Sequence, residues 1–220
     1  MNRTARMHPP SDIRLSRFES KGRSVVHAAQ CESASSQEME DIIMNPIINR
    51  PHGATEIIRF AFGTFSLGAV LVAATEKGIA AILMGDDRDG LCRDLASAFP
   101  EARFTLDEAA LESVVTQVVA FLEEPHRGLD LPLDIRGSAL EQVIWRALRA
   151  VPAGQTVTYG LIAKALPLPA TAQDVGAACA ANVLAVAIPC HRVTKADGSI
   201  SGYRWGVQRK RKLINREAAA

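Results

Sequence analysis

The sequence predicts an α+β chain with a small N-terminal antiparallel-sheet unit over residues 51–135 and a helical C-terminal domain over residues 136–220. Three patterns predict it. Short β-branched or apolar runs at 57–62, 68–74 and 79–84 are separated by Gly63 and by Glu76-Lys77-Gly78, the pattern of an antiparallel meander. Apolar residues then recur at helical spacing through residue 124. From Ser138 onward, helix-start and helix-stop signals follow one another closely.

The chain has 220 residues, 48% apolar and 22% charged, enough for one substantial domain or two small ones with a buried core. Disorder of the whole chain is excluded. No uninterrupted apolar run is longer than residues 69–74, far below the roughly 20 residues a membrane span needs, so no membrane association is expected. Arg3 and Arg6 are not followed by the apolar stretch of a secretory signal, and a cytoplasmic, reducing setting is the expectation. Residues 1–50 mix Ser, Arg, Glu and Gln without periodicity and read as a disordered tail or linker, with Met39 and Met44 as alternative starts. Cys31, Cys92, Cys179 and Cys190 are too few and too scattered for a disulfide framework or a structural zinc site, and read as free thiols.

In chain order, the meander is followed by helical spacing over 88–99 and 107–124, where Leu111, Val114, Val115, Val118, Val119 and Leu122 form one core-facing stripe. Residues 129–135 are a strand candidate interrupted by Pro132, which points to an edge or a connecting loop. Ser138 and Glu141 have capping-box spacing ahead of an amphipathic helix carrying Leu140, Val143, Ile144, Ala147 and Leu148. Thr158 can cap a short helix to about Leu166, and after Pro167 and Pro169 a further helix should cover 172–180. Two short helices with a tight connection are compatible with a helix-turn-helix, although such pairs occur in many helical domains.

The charge is uneven although 25 Lys and Arg nearly balance 24 Asp and Glu. Residues 86–134 hold 12 acidic and 4 basic side chains, and residues 192–217 hold 8 basic and 2 acidic. The run Arg209-Lys210-Arg211-Lys212 is either the solvated face of a helix or a phosphate-backbone footprint, and charge alone leaves both open.

The segment Ile188-Pro189-Cys190-His191-Arg192-Val193 is the sharpest chemical feature. A thiol near pKa 8.5 is only a few per cent ionised at neutral pH, and a base or cation such as His191 or Arg192 raises the thiolate fraction. Neighbours on an extended segment point to opposite faces, so a bridging water or a turn is required. The other three cysteines read as small buried hydrophobes.

Pro189-Cys190-His191-Arg192-Val193, with Asn182 before it and Ser201-Gly202-Tyr203-Arg204-Trp205-Gly206 after it, resembles the methylated-DNA protein-cysteine methyltransferases, the O6-alkylguanine repair proteins. Ala178-Cys179-Ala180-Ala181-Asn182 and the Tyr-Arg-Trp-Gly segment resemble the Ada-type branch, and the likeness covers about 56–217. The resemblance implies a ribonuclease H-like N-terminal unit, a winged-helix-like C-terminal domain, and a monomer that binds double-stranded DNA without a cofactor or metal. It also implies single-turnover transfer of an alkyl group from guanine O6, with thymine O4 as a second lesion, to Cys190. His191 would be the water-mediated base, Glu217 its orienting group, Asn182 the brace of the active-site turn, and Tyr159 the donor to the guanine ring nitrogen. Val193 and Arg204 would contact the flipped base through backbone groups, with Tyr203 and Arg192 among the substrate-binding residues.

The chain departs from the family at Gln173, where an arginine usually fills the gap left by the flipped nucleotide, and the following Asp174 is expected to repel phosphate. Cys31 alone cannot form the four-cysteine zinc domain of Ada-type regulators, so phosphotriester repair and transcription activation are not expected. A lesion-binding sensor without efficient transfer is the alternative that Gln173 and Asp174 motivate. A cysteine hydrolase has no separate His and acid motif to support it.

Overall fold

A computed structural model describes residues 56–219, so the expectations for residues 1–50 and for Cys31 lie outside the described residues. Strands β1 (Ile57–Phe65), β2 (Gly68–Thr75) and β3 (Gly78–Gly85) form the expected meander, pairing Phe60 with Ala73 and Leu71 with Leu83. Helix α1 (Arg88–Ala98) then carries the chain back to a fourth strand, β4 (Arg103–Leu106), which pairs parallel to β1. The order is β3-β2-β1-β4, so the unit expected to be antiparallel is a mixed sheet. Four residues between two helices carry too little pattern to read, and their partner lies over forty positions away.

The centres of β2 and β3 are buried without alternation, as strands covered on both faces must be. Asp87 caps α1 by accepting from Gly90 N at 2.7 Å, and Asp107 caps α2 (Glu108–Glu123) by accepting from Ala110 N at 3.0 Å. On α2 the buried residues are Leu111, Val118, Phe121 and Leu122, while Val114, Val115 and Val119 of the expected stripe are only partly covered.

Residues 129–135 form no strand but hook onto the outer edge of β3. Ile79 N donates to Pro132 O and Asp134 N donates to Ile79 O, both at 2.8 Å. Gly78 permits this approach: its φ is +136°, and a Cβ there would lie 2.3 Å from Pro132 O. Further along the same edge, Ile82 N donates to Val183 O at 2.9 Å and Ala185 N to Ile82 O at 3.0 Å. The edge of the sheet is thereby covered, and part of its cover is the segment leading to Cys190.

Helix α3 (Ala139–Arg149) opens on the expected capping box, with Ser138 N donating to Glu141 Oε2 at 2.7 Å. Trp145 on its buried face donates from Nε1 to Ala178 O at 2.8 Å. The pair β5 (Val157–Thr158) and β6 (Val193–Thr194) is parallel. It ties the start of α4 (Tyr159–Ala165) to the residues just after the cysteine turn. Helix α5 (Ala172–Ala181) starts on a Thr171–Asp174 capping box. Helices α4 and α5 pack together and both rest on α3, giving the helix-turn-helix arrangement, and α6 (Val207–Ala218) closes the domain.

Candidate active site

The site is built on the turn between α5 and β6. Asn182, fully buried at the end of α5, accepts from Leu184 N at 2.8 Å through Oδ1. Its Nδ2 donates to Ile188 O at 3.0 Å, Leu184 O at 3.4 Å and Cys190 Sγ at 3.2 Å. One amide therefore closes the turn and holds the sulfur. Within it Val186 has φ 64°, a left-handed conformation costly for a β-branched residue, on the order of 1–3 kcal/mol. Ala187 N to Ala185 O at 2.7 Å, Ile188 N to Leu184 O at 3.0 Å and the two bonds to Ile82 hold it there.

After Pro189 a single 3-10 turn, Cys190–Arg192, supplies the bend that the sequence required between thiol and imidazole. His191 Nε2 meets Glu217 Oε1 at 2.8 Å. Arg192 donates to the same carboxylate from Nε at 2.9 Å and Nη2 at 2.8 Å, and from Nη1 to Val151 O. Burial alone would raise the Glu217 pKa, but the hydrogen bonds from His191 and Arg192 hold it at about 2. Burial lowers the His191 pKa against the pull of Glu217, so the ring is neutral near pH 7. A neutral ring that donates from Nε2 to the carboxylate leaves Nδ1 as the acceptor, and Nδ1 is buried with no protein partner.

The state of the thiol corrects the sequence-based expectation. Cys190 is 2% exposed, and burial, reinforced by a hydrogen bond with Cys179, raises its pKa well above the ordinary range. Asn182 and Lys210 oppose this only in part. The sulfur rests as a protonated thiol, because desolvation outweighs nearby positive charge. The Arg192 guanidinium, expected among the substrate-binding groups, is engaged inside the protein by Glu217 and Val151 O.

Tyr159, on the first turn of α4, has its hydroxyl 2.6 Å from Ser201 Oγ. Burial raises its pKa, while the bond to Ser201 works the other way. Lys210 Nζ donates to the same Ser201 Oγ at 2.9 Å. Tyr203 packs edge-on between His191 and Trp205, with ring centroids 6.5 and 5.1 Å away. Its hydroxyl and Trp205 Nε1 are buried without partners.

Val193 is fully buried in β6 opposite Val157. Arg204 is exposed and donates from Nη1 to Ala180 O at 3.0 Å, at the end of α5. Gln173 is exposed on the first turn of α5. Asp174 is engaged as a helix cap, accepting from Thr171 N and Oγ1 at 2.7 Å, so its charge is directed to the α5 N-terminus.

Three site residues escaped the sequence reading. Lys210, placed in a solvated or phosphate-binding run, is fully buried beside Ser201; its spacing with Leu213 and Glu217 along one face of α6 was the available signal. Cys179, read as an inert hydrophobe, lies one helical turn before Asn182 and touches the Cys190 thiol. Ser201 stands in the segment that carries the resemblance, but nothing local gave it a role of its own.

Residues 58–135 match the ribonuclease-like domain of 6-O-methylguanine DNA methyltransferase, and residues 139–219 match the DNA binding domain of the same family. The chain is 42% identical over 206 residues to the bifunctional transcriptional activator/DNA repair enzyme Ada of Escherichia coli, covering 93% of this chain and 58% of that protein. It spans about half the length of the Ada proteins it matches. An inducible methylated-DNA–protein-cysteine methyltransferase of Bacillus subtilis is 32% identical over 152 residues, 68% of this chain and 84% of that one. The crystal structure of Mycobacterium tuberculosis OGT in complex with DNA superposes with a TM-score of 0.61 at 29% identity, over 73% of this chain and 93% of that one. Both halves of the fold, the second carrying the cysteine turn, lead to one conclusion: the chain belongs to the O6-methylguanine DNA methyltransferase family.

Proposed function

We propose that the protein repairs double-stranded DNA by accepting the methyl group of O6-methylguanine on Cys190, once per molecule, with O4-methylthymine as a second lesion. The observation that carries this is a buried thiol on an Asn182-braced turn, next in sequence to an imidazole whose Nε2 is held by Glu217 and whose Nδ1 is open. A buried acceptor atom calls for a water, and one water between Nδ1 and Sγ completes a proton path.

His191 takes the Cys190 proton through that water while Glu217 steadies the imidazolium. The thiolate attacks the methyl carbon; the S–C bond forms, the C–O6 bond breaks, and the electron pair leaves with guanine. Sulfur suits this soft carbon better than an oxygen nucleophile does. The Tyr159 hydroxyl hydrogen-bonds the guanine ring nitrogen and takes part of the developing charge. Backbone groups of Val193 and Arg204 hold the base, and Tyr203 walls the pocket behind His191. No cofactor or metal enters these steps.

A thiol this deep reaches only a base rotated out of the duplex, at a cost of a few kcal/mol that is smaller for a weakened pair. Helices α4 and α5 position the duplex through its backbone, and Gln173 occupies the gap left behind. The setting of this reading is a monomer acting in the cytoplasm, since the proposed steps call on no group from a second copy. Among the described residues no helix is long and apolar enough to cross a membrane.

The test is mass spectrometry after incubation with a duplex containing O6-methylguanine. The peptide holding Cys190 should gain one methyl group and no other peptide should. Lesion-preferring binding with Cys190 unmodified would instead make the chain a damage sensor.

A further inference from the structure

Lys210 is the only buried lysine among the described residues, and it reaches the site through a single oxygen. That oxygen, Ser201 Oγ, also lies 2.6 Å from the Tyr159 hydroxyl. An ammonium group has protons and no lone pair, so Ser201 must accept from Lys210. A hydroxyl has one proton and two lone pairs, which leaves two ways to satisfy the contact with Tyr159. If Tyr159 donates, the serine proton has no acceptor and the tyrosine proton is withheld from any ligand. If Ser201 donates, the tyrosine proton points outward.

We propose that Ser201 is a positioning residue for methyl transfer: oriented by Lys210, it donates to the Tyr159 oxygen and so presents the Tyr159 proton to the ring nitrogen of the bound guanine. This rests on the reading of Tyr159 as the group that meets the base. The positive charge behind Ser201 polarises its O–H bond and makes it a stronger donor. The polarised bond in turn supports negative charge on the Tyr159 oxygen as its own proton is drawn toward the leaving base. Burial lowers the Lys210 pKa, while the Cys179 and Cys190 sulfurs work the other way. Gly202 O, 3.4 Å from Nζ, fixes the direction of the lysine.

The experiment compares single-turnover transfer rates at saturating duplex, and duplex affinities, for the parent protein, Ser201→Ala, Ser201→Thr and Tyr159→Phe. Two substrates are used: O6-methylguanine, and its 3-deaza analogue, in which the ring nitrogen on the minor-groove edge is carbon. Ser201→Ala should slow transfer from O6-methylguanine about tenfold, the scale of one oriented hydrogen bond, with duplex affinity unchanged. Ser201→Thr, which keeps the hydroxyl, should recover most of that loss. On the 3-deaza substrate Ser201→Ala and the parent should react at the same rate, because no acceptor remains for the Tyr159 proton. An equal slowing on both substrates would assign Ser201 a purely structural role and overturn the inference. A slow Tyr159→Phe beside an unimpaired Ser201→Ala would overturn it while leaving the role of Tyr159 intact. A Tyr159→Phe variant as fast as the parent would remove the reading on which it stands. Thermal melts of each variant confirm that rates are compared between folded proteins.

Discussion

The N-terminal sheet and the cysteine turn use burial in opposite ways. Among the described residues, all six buried polar or charged side chains, Asn182, His191, Arg192, Thr194, Lys210 and Glu217, lie in the C-terminal domain. The sheet buries Ile58, Phe60, Leu71, Ile82 and Leu83 with no ionisable partner among them. Apolar burial contributes about 1.5–3 kcal/mol per large side chain, whereas buried charges stabilise only when every partner is in place. The sheet therefore supplies stability, and the turn draws on it to keep reactive groups dry. The backbone bonds between Ile82 and residues 183 and 185 join the two.

The sharpest way to break this contrast is Cys190→Ala. Methyl transfer should be abolished, with no methyl on any peptide, while the thermal melt stays close to that of the parent. Glu217→Gln comes next, because it leaves His191 and Arg192 facing a neutral amide: urea denaturation should show a loss of roughly 3–5 kcal/mol, with transfer slowed as well. Leu71→Ala in the sheet should destabilise by a similar amount, about 2–5 kcal/mol, with the transfer rate of the folded protein unchanged. Parallel losses of rate in both variants would erase the distinction between the regions.

Acid should weaken the turn in two steps. His191 has a folded pKa below its ordinary 6.5, and Glu217 is held at about 2, below its ordinary 4.5. Each binds fewer protons folded than unfolded, so stability rises with pH. Their contribution is complete above about pH 6.5, falls first as unfolded histidine protonates, and falls again from about pH 4.5 toward 2. The Glu217 step is worth roughly 3 kcal/mol, and Glu217→Gln should remove it from the profile of urea midpoints against pH. The smallest effect is expected from Gln173→Arg, which adds a cation on the exposed first turn of α5. A few-fold tighter binding to methylated duplex and faster transfer are expected, more so at low salt. Equal single-turnover rates would show that glutamine fills the gap as well as arginine.

What could be read from the sequence was local. Ser138 and Thr158 mark helix starts because a cap and its partner lie within three residues, and both caps form. Asn182 and Cys190 were legible because their spacing belongs to one continuous turn. What was not legible depends on contacts across the chain. β4 is strand only because β1 offers it an edge, and Lys210 leaves its basic neighbours because α6 turns that position inward. Adjacency to Cys190 suggested that the Arg192 charge acts on the thiol, whereas the carboxylate that engages it lies 25 residues away. The resting state of the thiol was misjudged for the same reason: charge can be counted in a sequence, and desolvation cannot.

Under the proposed single-use transfer, concealment of Cys190 bears on how the protein lasts until it is needed. An uncharged sulfur beneath the surface is a poor target for peroxides and for alkylating agents diffusing in solution, since both react chiefly with exposed thiolates. On the proposed reading the protein is consumed by docked lesions rather than by chance encounters, and its selectivity is a matter of admission before it is one of reactivity.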